Sequence, residues 1–206
     1  MEKYTITWEY KSVNYVFHTL DTLFSYKHID VGTIQMLEYT ELRTDDKVLD
    51  LGCGYGIVGI VAARTIGSEN IVMSDINAGA LEMANKNVNA NCLDGIRIIC
   101  SNGYENIRDT DFTLIMSNPP YHTDFSVAKA FIEGSYKHLK IGGRLVMVTK
   151  RFDWYKNKIQ AVFGGVKWIE SCGYYVFMAE KKVLKREHKR KAVMSKKLMR
   201  KYGRIS

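Results

Sequence analysis

"KVLDLGCGYGIVGI", residues 47–60, decides the fold. A short apolar run ends at Asp50, glycines follow at Gly52, Gly54 and Gly56, and an apolar stretch with helical spacing begins at once. The pattern predicts a buried strand turning sharply into a helix. Lacking Cβ atoms, the glycines can take positive φ and let a ligand lie directly on the backbone. C-terminal to this turn the alternation repeats: apolar "NIVMSD", helical "NAGALEMANKNVNANC", apolar "IRIIC", a polar loop, apolar "FTLIMS", a helix from about residue 124 to 139, the turn "IGG" and apolar "RLVMV". Short continuous apolar runs alternating with helices are the signature of a parallel sheet covered on both faces. Beyond a helix near "DWYKNKIQAVF", the runs "VKWIES" and "YYVFMAE" are separated only by Cys172 and Gly173. So short a gap permits only an antiparallel pair.

N-terminal to the glycine turn, "YTITWEYKSVNYVFHTL" alternates in two stretches around "EYKS" and predicts a β-hairpin that packs as an edge or lid. "DVGTIQMLEYTEL" places Ile34, Leu37 and Leu42 at helical spacing, with Asp30 as N-cap. The expected fold class is therefore α/β: a Rossmann-like sheet, mostly parallel with an antiparallel final strand, preceded by a hairpin. Residues 1–180 form one domain and 181–206 a basic extension.

The spacing of the turn establishes a nucleoside-sized site at the carboxyl ends of the strands. Asp75 ends the second strand of the alternating region, where its carboxylate can accept from both ribose hydroxyls. Gly54, Gly56 and Gly59 also satisfy GxGxxG, which leaves a nicotinamide cofactor open on this pattern alone. Asp50 either binds an amino group or braces the glycine loop. In "SNGYEN", Asn102 offers a donor and an acceptor to an adenine edge, with Tyr104 near enough to shield it; a plain polar turn explains the stretch equally well.

Both prolines of the 206-residue chain stand together in "MSNPPYHTDF", residues 116–125. Proline has a fixed φ and no N–H, and holds the residue before it extended. Asn118-Pro119-Pro120 is thus a stiff segment at a strand end that presents carbonyls without competing donors. It is suited to gripping a planar amine: the Asn118 amide oxygen and the Pro119 carbonyl each accept one hydrogen, and Tyr121 stacks on the ring bearing the amine.

Together "DLGCGYG", "VMSDINAGALEMANKNVNAN" and "SNPPYH" resemble class I S-adenosylmethionine-dependent methyltransferases. With "FSYKHIDVGTIQML", residues 24–37, the chain is similar to the small-domain family typified by ribosomal RNA guanine-N2 methyltransferases. The resemblance implies that Asp50, Gly52 and Gly54 line the methionyl side of S-adenosylmethionine, in the turn completed by Gly56. It further implies that Asp75 and Ile76 hold ribose and adenine, that Asn102 lies near the adenine amine, and that Asp30, Gly32 and Thr33 form a helix start near the cofactor carboxylate. Asn118, Pro119, Pro120 and Tyr121 match the catalytic loop. The implied activity is methylation of an exocyclic amine, guanine N2 in ribosomal RNA. The alternatives are an adenine-N6 or protein glutamine-amide methyltransferase, or a non-catalytic RNA-binding assembly factor on the same scaffold.

Composition fits a globular enzyme, with 46% hydrophobic and 25% charged residues. Early charges and the lack of a long apolar run predict no signal peptide and no membrane span, hence a cytoplasmic protein; the expected state is a monomer. Cys53, Cys92, Cys100 and Cys172 are scattered without metal-ligand spacing, which predicts no metal site and reduced, mostly buried thiols. The net charge of +8 belongs to the extension: residues 181–206 carry 12 Lys/Arg and the single acid Glu187, whereas residues 1–180 carry 18 Lys/Arg against 21 Asp/Glu. A proline-free basic segment of this kind is expected to be helical and to neutralise RNA phosphates; a solvated end is the alternative reading. If it touches phosphates, removing it flattens the dependence of RNA affinity on log salt concentration, and an unchanged slope in a binding titration refutes the contact.

Overall fold

The computed structural model describes residues 2–120 and 125–183. β1 (Lys3–Tyr10) and β2 (Val13–Leu20) form the expected antiparallel hairpin. Its two-residue turn holds Lys11 and Ser12 at φ 49° and 61°, the positive values that match a tight turn to the twist of the paired strands. α1 (Val31–Glu38) begins where Asp30 caps it, the Asp30 carboxylate accepting from the Thr33 N–H at 2.9 Å.

The remaining strands are β3 (Val48–Leu51), β4 (Ile71–Asp75), β5 (Arg97–Cys100), β6 (Phe112–Ser117), β7 (Leu139–Thr149), β8 (Lys167–Ser171) and β9 (Tyr174–Glu180). They form one seven-stranded sheet in the order β5-β4-β3-β6-β7-β9-β8. The first five in that order run parallel, and β9 is antiparallel to both β7 and β8. Four helices complete the alternation: α2 (Ile57–Ile66), α3 (Ala78–Ala90), α4 (Ser126–His138) and α5 (Phe152–Phe163). All four residues of β3 are buried, which is why the strand reads as a continuous apolar run broken only by Asp50. Val48 joins a core with residues of the hairpin and the helices α1 to α3, while Leu49 and Leu51 join a second core with residues of α4 and α5. Among the described residues no helix is long and apolar enough to cross a membrane.

The chain builds outward from β3 to β4 and β5, then returns to lay β6 on the other side of β3. The order therefore reverses between β3 and β6, and a crevice opens where their carboxyl ends diverge. The Ser117 hydroxyl, at the end of β6, donates to the Leu51 carbonyl at 2.7 Å and ties the two ends together.

Three sequence expectations are corrected. The first helix ends at Glu38, short of Leu42, because the Thr40 hydroxyl takes the Met36 carbonyl, the acceptor that continued helix would have given to a backbone N–H. "IGG" is an irregularity within β7 rather than a turn before it: the register against β6 shifts here, and Gly142 and Gly143 exchange backbone bonds with Lys181 at 2.8 Å. Gly143 lies so close to β6 that a Cβ would come within 2.8 Å of the Phe112 carbonyl oxygen. Of the thiols only Cys53 is buried; Cys92, Cys100 and Cys172 are exposed. The backbone pairing of Lys181 also means that the basic extension separates from the sheet later than residue 180; its residues 184–206 lie outside the described residues.

The hairpin is not part of the large sheet. Asn87 and Asn91, one helical turn apart on α3, act on β2 as a neighbouring strand would. The Asn91 side chain accepts from Val16 N at 3.1 Å and donates to Val16 O at 2.8 Å. Asn87 exchanges the same pair of bonds with His18 and also donates to the Tyr55 carbonyl at 2.8 Å. Both amides are buried, so their partners have little water to turn to. Asn87→Ala is expected to destabilise the chain by about 2–3 kcal/mol, from several buried groups left unpaired. Urea unfolding checks this, and hydrogen exchange in β2 should rise with it.

Candidate active site

The crevice at the β3–β6 divergence holds a cavity of about 430 Å³. It is walled by the glycine turn, the start of the segment after β4, residues 101–103, Asn118 to Pro120, and Phe131 of α4. This volume suits a nucleoside-sized ligand with room for part of a second.

The glycine turn is braced by its neighbour. Gly52 N and Cys53 N both donate to the Ser74 carbonyl, at 2.8 and 2.9 Å, which continues the β3–β4 pairing one step past the strand. Gly54 N donates to Asp75 Oδ2 at 2.8 Å. Gly54 has φ +55°, and a Cβ there would meet nothing within 4 Å, so the backbone lies open to the cavity. Gly56, at φ +95°, starts α2 in the left-handed region; its would-be Cβ faces Ala84, Ile60 and Met73, and it does not line the cavity.

Asp75 lines the cavity, but neither of its oxygens is unengaged: Oδ1 accepts from Asn77 N at 2.9 Å and Oδ2 from Gly54 N. A carboxylate has about four acceptor sites, so capacity remains for two hydroxyls. Ile76 beside it is largely exposed and lines the same wall. Asn102 also lines the cavity, its Nδ2 donating to Glu105 Oε1 at 2.9 Å. Tyr104 does not shield that wall as the sequence suggested. Its hydroxyl bonds with Ser135 Oγ at 2.6 Å and its ring stacks on His138, because Gly134 on α4 leaves room for the ring.

Of the two roles the sequence left open for Asp50, the structure shows the bracing one. It lines the cavity and, through Oδ2, accepts from Gly59 N at 2.9 Å, capping the first turn of α2 from outside the helix. Burial pushes its carboxyl up to about 7, against the Gly59 hydrogen bond, with the charge of Asp75 adding to the rise. Burial likewise drives the Cys53 thiol well above its ordinary range.

Asn118 is held by its nitrogen. Nδ2 donates to Asp30 Oδ2 and to Thr33 Oγ1, both at 2.9 Å, while Oδ1 is buried and has no partner among the described residues. Asp30 and Thr33 line the cavity beside it; Gly32 does not, being packed beneath the Tyr174 ring. Pro119 and Pro120 line the cavity, and Tyr121 lies outside the described residues.

Sequence reasoning missed the loop after the hairpin. Thr22, Leu23, Phe24 and Ser25 form one wall, and the Tyr55 hydroxyl holds the loop through the Ser25 carbonyl at 3.2 Å. The stretch carries no glycine or proline, and although Phe24 and Ser25 open the segment that bears the family resemblance, nothing in the sequence assigned them to the site. Phe131 was also missed; its ring lies under Gly52 and Gly103, with would-be Cβ contacts at 3.4 and 3.5 Å.

A sheet of this order, reversing at a glycine turn with an acid at the end of the adjoining strand, defines a class I methyltransferase fold. The chain belongs to the methyltransferase small domain family, whose profile matches residues 14–178. It is 35% identical over 161 residues to a ribosomal RNA small subunit methyltransferase C from Serratia proteamaculans, covering 76% of this chain and 46% of that protein. To the protein of the same name from Pectobacterium atrosepticum it is 34% identical over 171 residues, covering 81% of this chain and 49% of the relative. Among solved structures, the T. thermophilus 16S rRNA N2 G1207 methyltransferase, in complex with AdoMet and guanosine, superposes with a TM-score of 0.80 at 26% identity, over 87% of this chain and 51% of that one. The chain thus spans about half the length of the curated relatives it matches.

Asp50 sets a pH dependence. Its proton is bound more tightly in the folded chain than in the unfolded one, so its contribution to stability is fully present below the ordinary 3.8 and is lost as pH rises through about 7. Unfolding free energy followed from pH 4 to 8 should carry this downward component, on the order of a few kcal/mol, and Asp50→Asn should lack it.

Proposed function

We propose that this chain uses S-adenosylmethionine to methylate an exocyclic amine, guanine N2 in ribosomal RNA. The observation that carries the reading is the buried Asn118 Oδ1, without a partner among the described residues, at the edge of a nucleoside-sized cavity. A buried acceptor without a partner is costly, and a donor brought by a ligand removes that cost. The relatives' printed names supply ribosomal RNA, and the solved neighbour's bound molecules supply the cofactor and a guanosine.

The residues fit the cofactor. The open backbone at Gly54, with Gly52 beside it, would accommodate its methionyl side, Asp75 and Ile76 its ribose and adenine, and Asn102 the adenine amine. Asp50 lies where an ammonium would pair with it, and such a charge would draw the Asp50 carboxyl toward its ionised form. When bound, S-adenosylmethionine supplies a methyl group made electrophilic by its sulfonium.

The chain's own task is positioning. Asn118 Oδ1 accepts one hydrogen of the target amine and the Pro119 carbonyl the other, which turns the nitrogen lone pair toward the cofactor side of the cavity. Pro120 keeps the segment stiff, and Tyr121 stacks on the base. Neither acceptor needs to be a strong base, because the surplus proton on nitrogen leaves to water after transfer.

Two variants separate chemistry from binding. Asn118→Ala is expected to lower methyl transfer to RNA by about 100-fold or more with cofactor affinity nearly intact. Asp75→Ala is expected to raise the cofactor Kd about tenfold or more. Transfer of radiolabelled methyl to RNA, DNA and protein in parallel, with calorimetry for the cofactor, reads both. Label in N2-methylguanosine supports the substrate; label in DNA or protein moves it, and cofactor binding with no label in any fraction supports a non-catalytic scaffold.

A further inference from the structure

We infer that Asp30, Thr33 and Tyr174 are positioning residues that fix which end of the Asn118 amide serves the reaction, and that this is the principal task of Asp30 and Thr33. The inference rests on the reading of Asn118 as acceptor of the target amine.

A primary amide is almost symmetric in shape, and its terminal torsion is broad and two-fold. Only one of its two orientations works. With the oxygen toward the cavity it accepts from an amine, whereas with the nitrogen there, donor would meet donor. The choice is made behind the amide. Nδ2 donates to Asp30 Oδ2 and Thr33 Oγ1, both at 2.9 Å. A carboxylate has no hydrogen to offer, so Asp30 makes the choice; the Thr33 hydroxyl, which can donate as well as accept, adds the second anchor. Turning the amide over would set its oxygen against the Asp30 oxygen at the same distance and forfeit the bond.

Asp30 is itself held on two sides. Oδ2 also accepts from Thr33 N at 2.9 Å, the α1 cap, and Oδ1 accepts from the Tyr174 hydroxyl at 3.2 Å. Tyr174 begins β9, is 6% exposed and does not line the cavity. Its ring reaches Asp30 over Gly32, where a Cβ would come within 2.6 Å of the ring and 2.9 Å of Asp30 Oδ2. The clamp thus joins the start of α1, the end of β6 and the start of β9, and it explains Gly32, which touches no part of the cavity. The helix start that these residues form stays available to an anion through its backbone N–H groups, while the Asp30 and Thr33 side chains serve Asn118.

The test uses the full chain. Thr33→Val removes the hydroxyl and keeps the shape, Thr33→Ser keeps the hydroxyl, and Tyr174→Phe removes the hydroxyl that donates to Asp30. At saturating cofactor and RNA, Thr33→Val is expected to lower kcat about tenfold with cofactor Kd unchanged, Thr33→Ser to restore most of it, and Tyr174→Phe to lower kcat less, again with Kd unchanged. A raised cofactor Kd with kcat intact would instead make Thr33 and Asp30 cofactor ligands and overturn the inference. A second readout needs no substrate. The Asn118 side-chain NH₂ signals in an NMR spectrum, identified by their loss in Asn118→Ala, should exchange with solvent about tenfold faster in Thr33→Val than in the parent. Unchanged exchange overturns the clamp. Slow exchange in the parent and its loss in Thr33→Val, together with no methyl transfer by the parent, would uphold the clamp and remove the amine-acceptor reading.

Discussion

Where β3 and β6 part company, their terminal backbone groups lose the partners that a sheet supplies, and the organisation of the site follows from how those groups are satisfied. Buried N–H and C=O groups must pair. Here Ser117 answers Leu51, the Ser74 carbonyl takes Gly52 and Cys53, and two carboxylates take the rest: Asp75 holds Gly54, and Asp50 holds Gly59. Each bond that keeps the sheet intact also holds one wall of the cavity. The same few atoms therefore satisfy the strand ends and shape the cavity, and a buried acid in the middle of β3 serves both.

The second half of the site comes from elements distant in sequence. The hairpin would be marginal alone, since two strands bury little. It is made permanent by the side-chain amides of Asn87 and Asn91, which supply the bonds of an absent strand. Docked there, it delivers residues 22–25 to the cavity mouth. The same economy appears at Asn118, where an amide is fixed by its donor end so that its acceptor end is left over. At the hairpin both ends of each amide are paired; at the end of β6 the acceptor end has no partner among the described residues.

The match covers about half of each relative's length. The residues of this chain that match the family model, 14–178, hold the glycine turn, the proline segment and all of the large sheet except the last two residues of β9. Its basic extension lies beyond that match, and the domain before it carries a small excess of acids. Three residues at one strand end do not by themselves distinguish a guanine from an adenine or a side-chain amide.

Sequence alone determined the strands and helices of the sheet, the glycine turn, Asp75 at the end of β4 and the proline segment, because each is local: periodicity, φ preferences and the fixed geometry of proline act within a few residues. It misplaced the end of α1 and the status of "IGG", where a side chain or a neighbouring strand outbid local preference. It had no means of pairing Asp30 with Asn118 and Tyr174, 88 and 144 residues away, or of seeing Asn87 and Asn91 as anything but helix. Those contacts exist only once the sheet has set its strand order, since hydrogen-bond complementarity across the fold leaves no periodic trace in the chain. The tertiary structure decided which end of the Asn118 amide is paired, its nitrogen with Asp30 and Thr33, because only the assembled sheet brings those residues together.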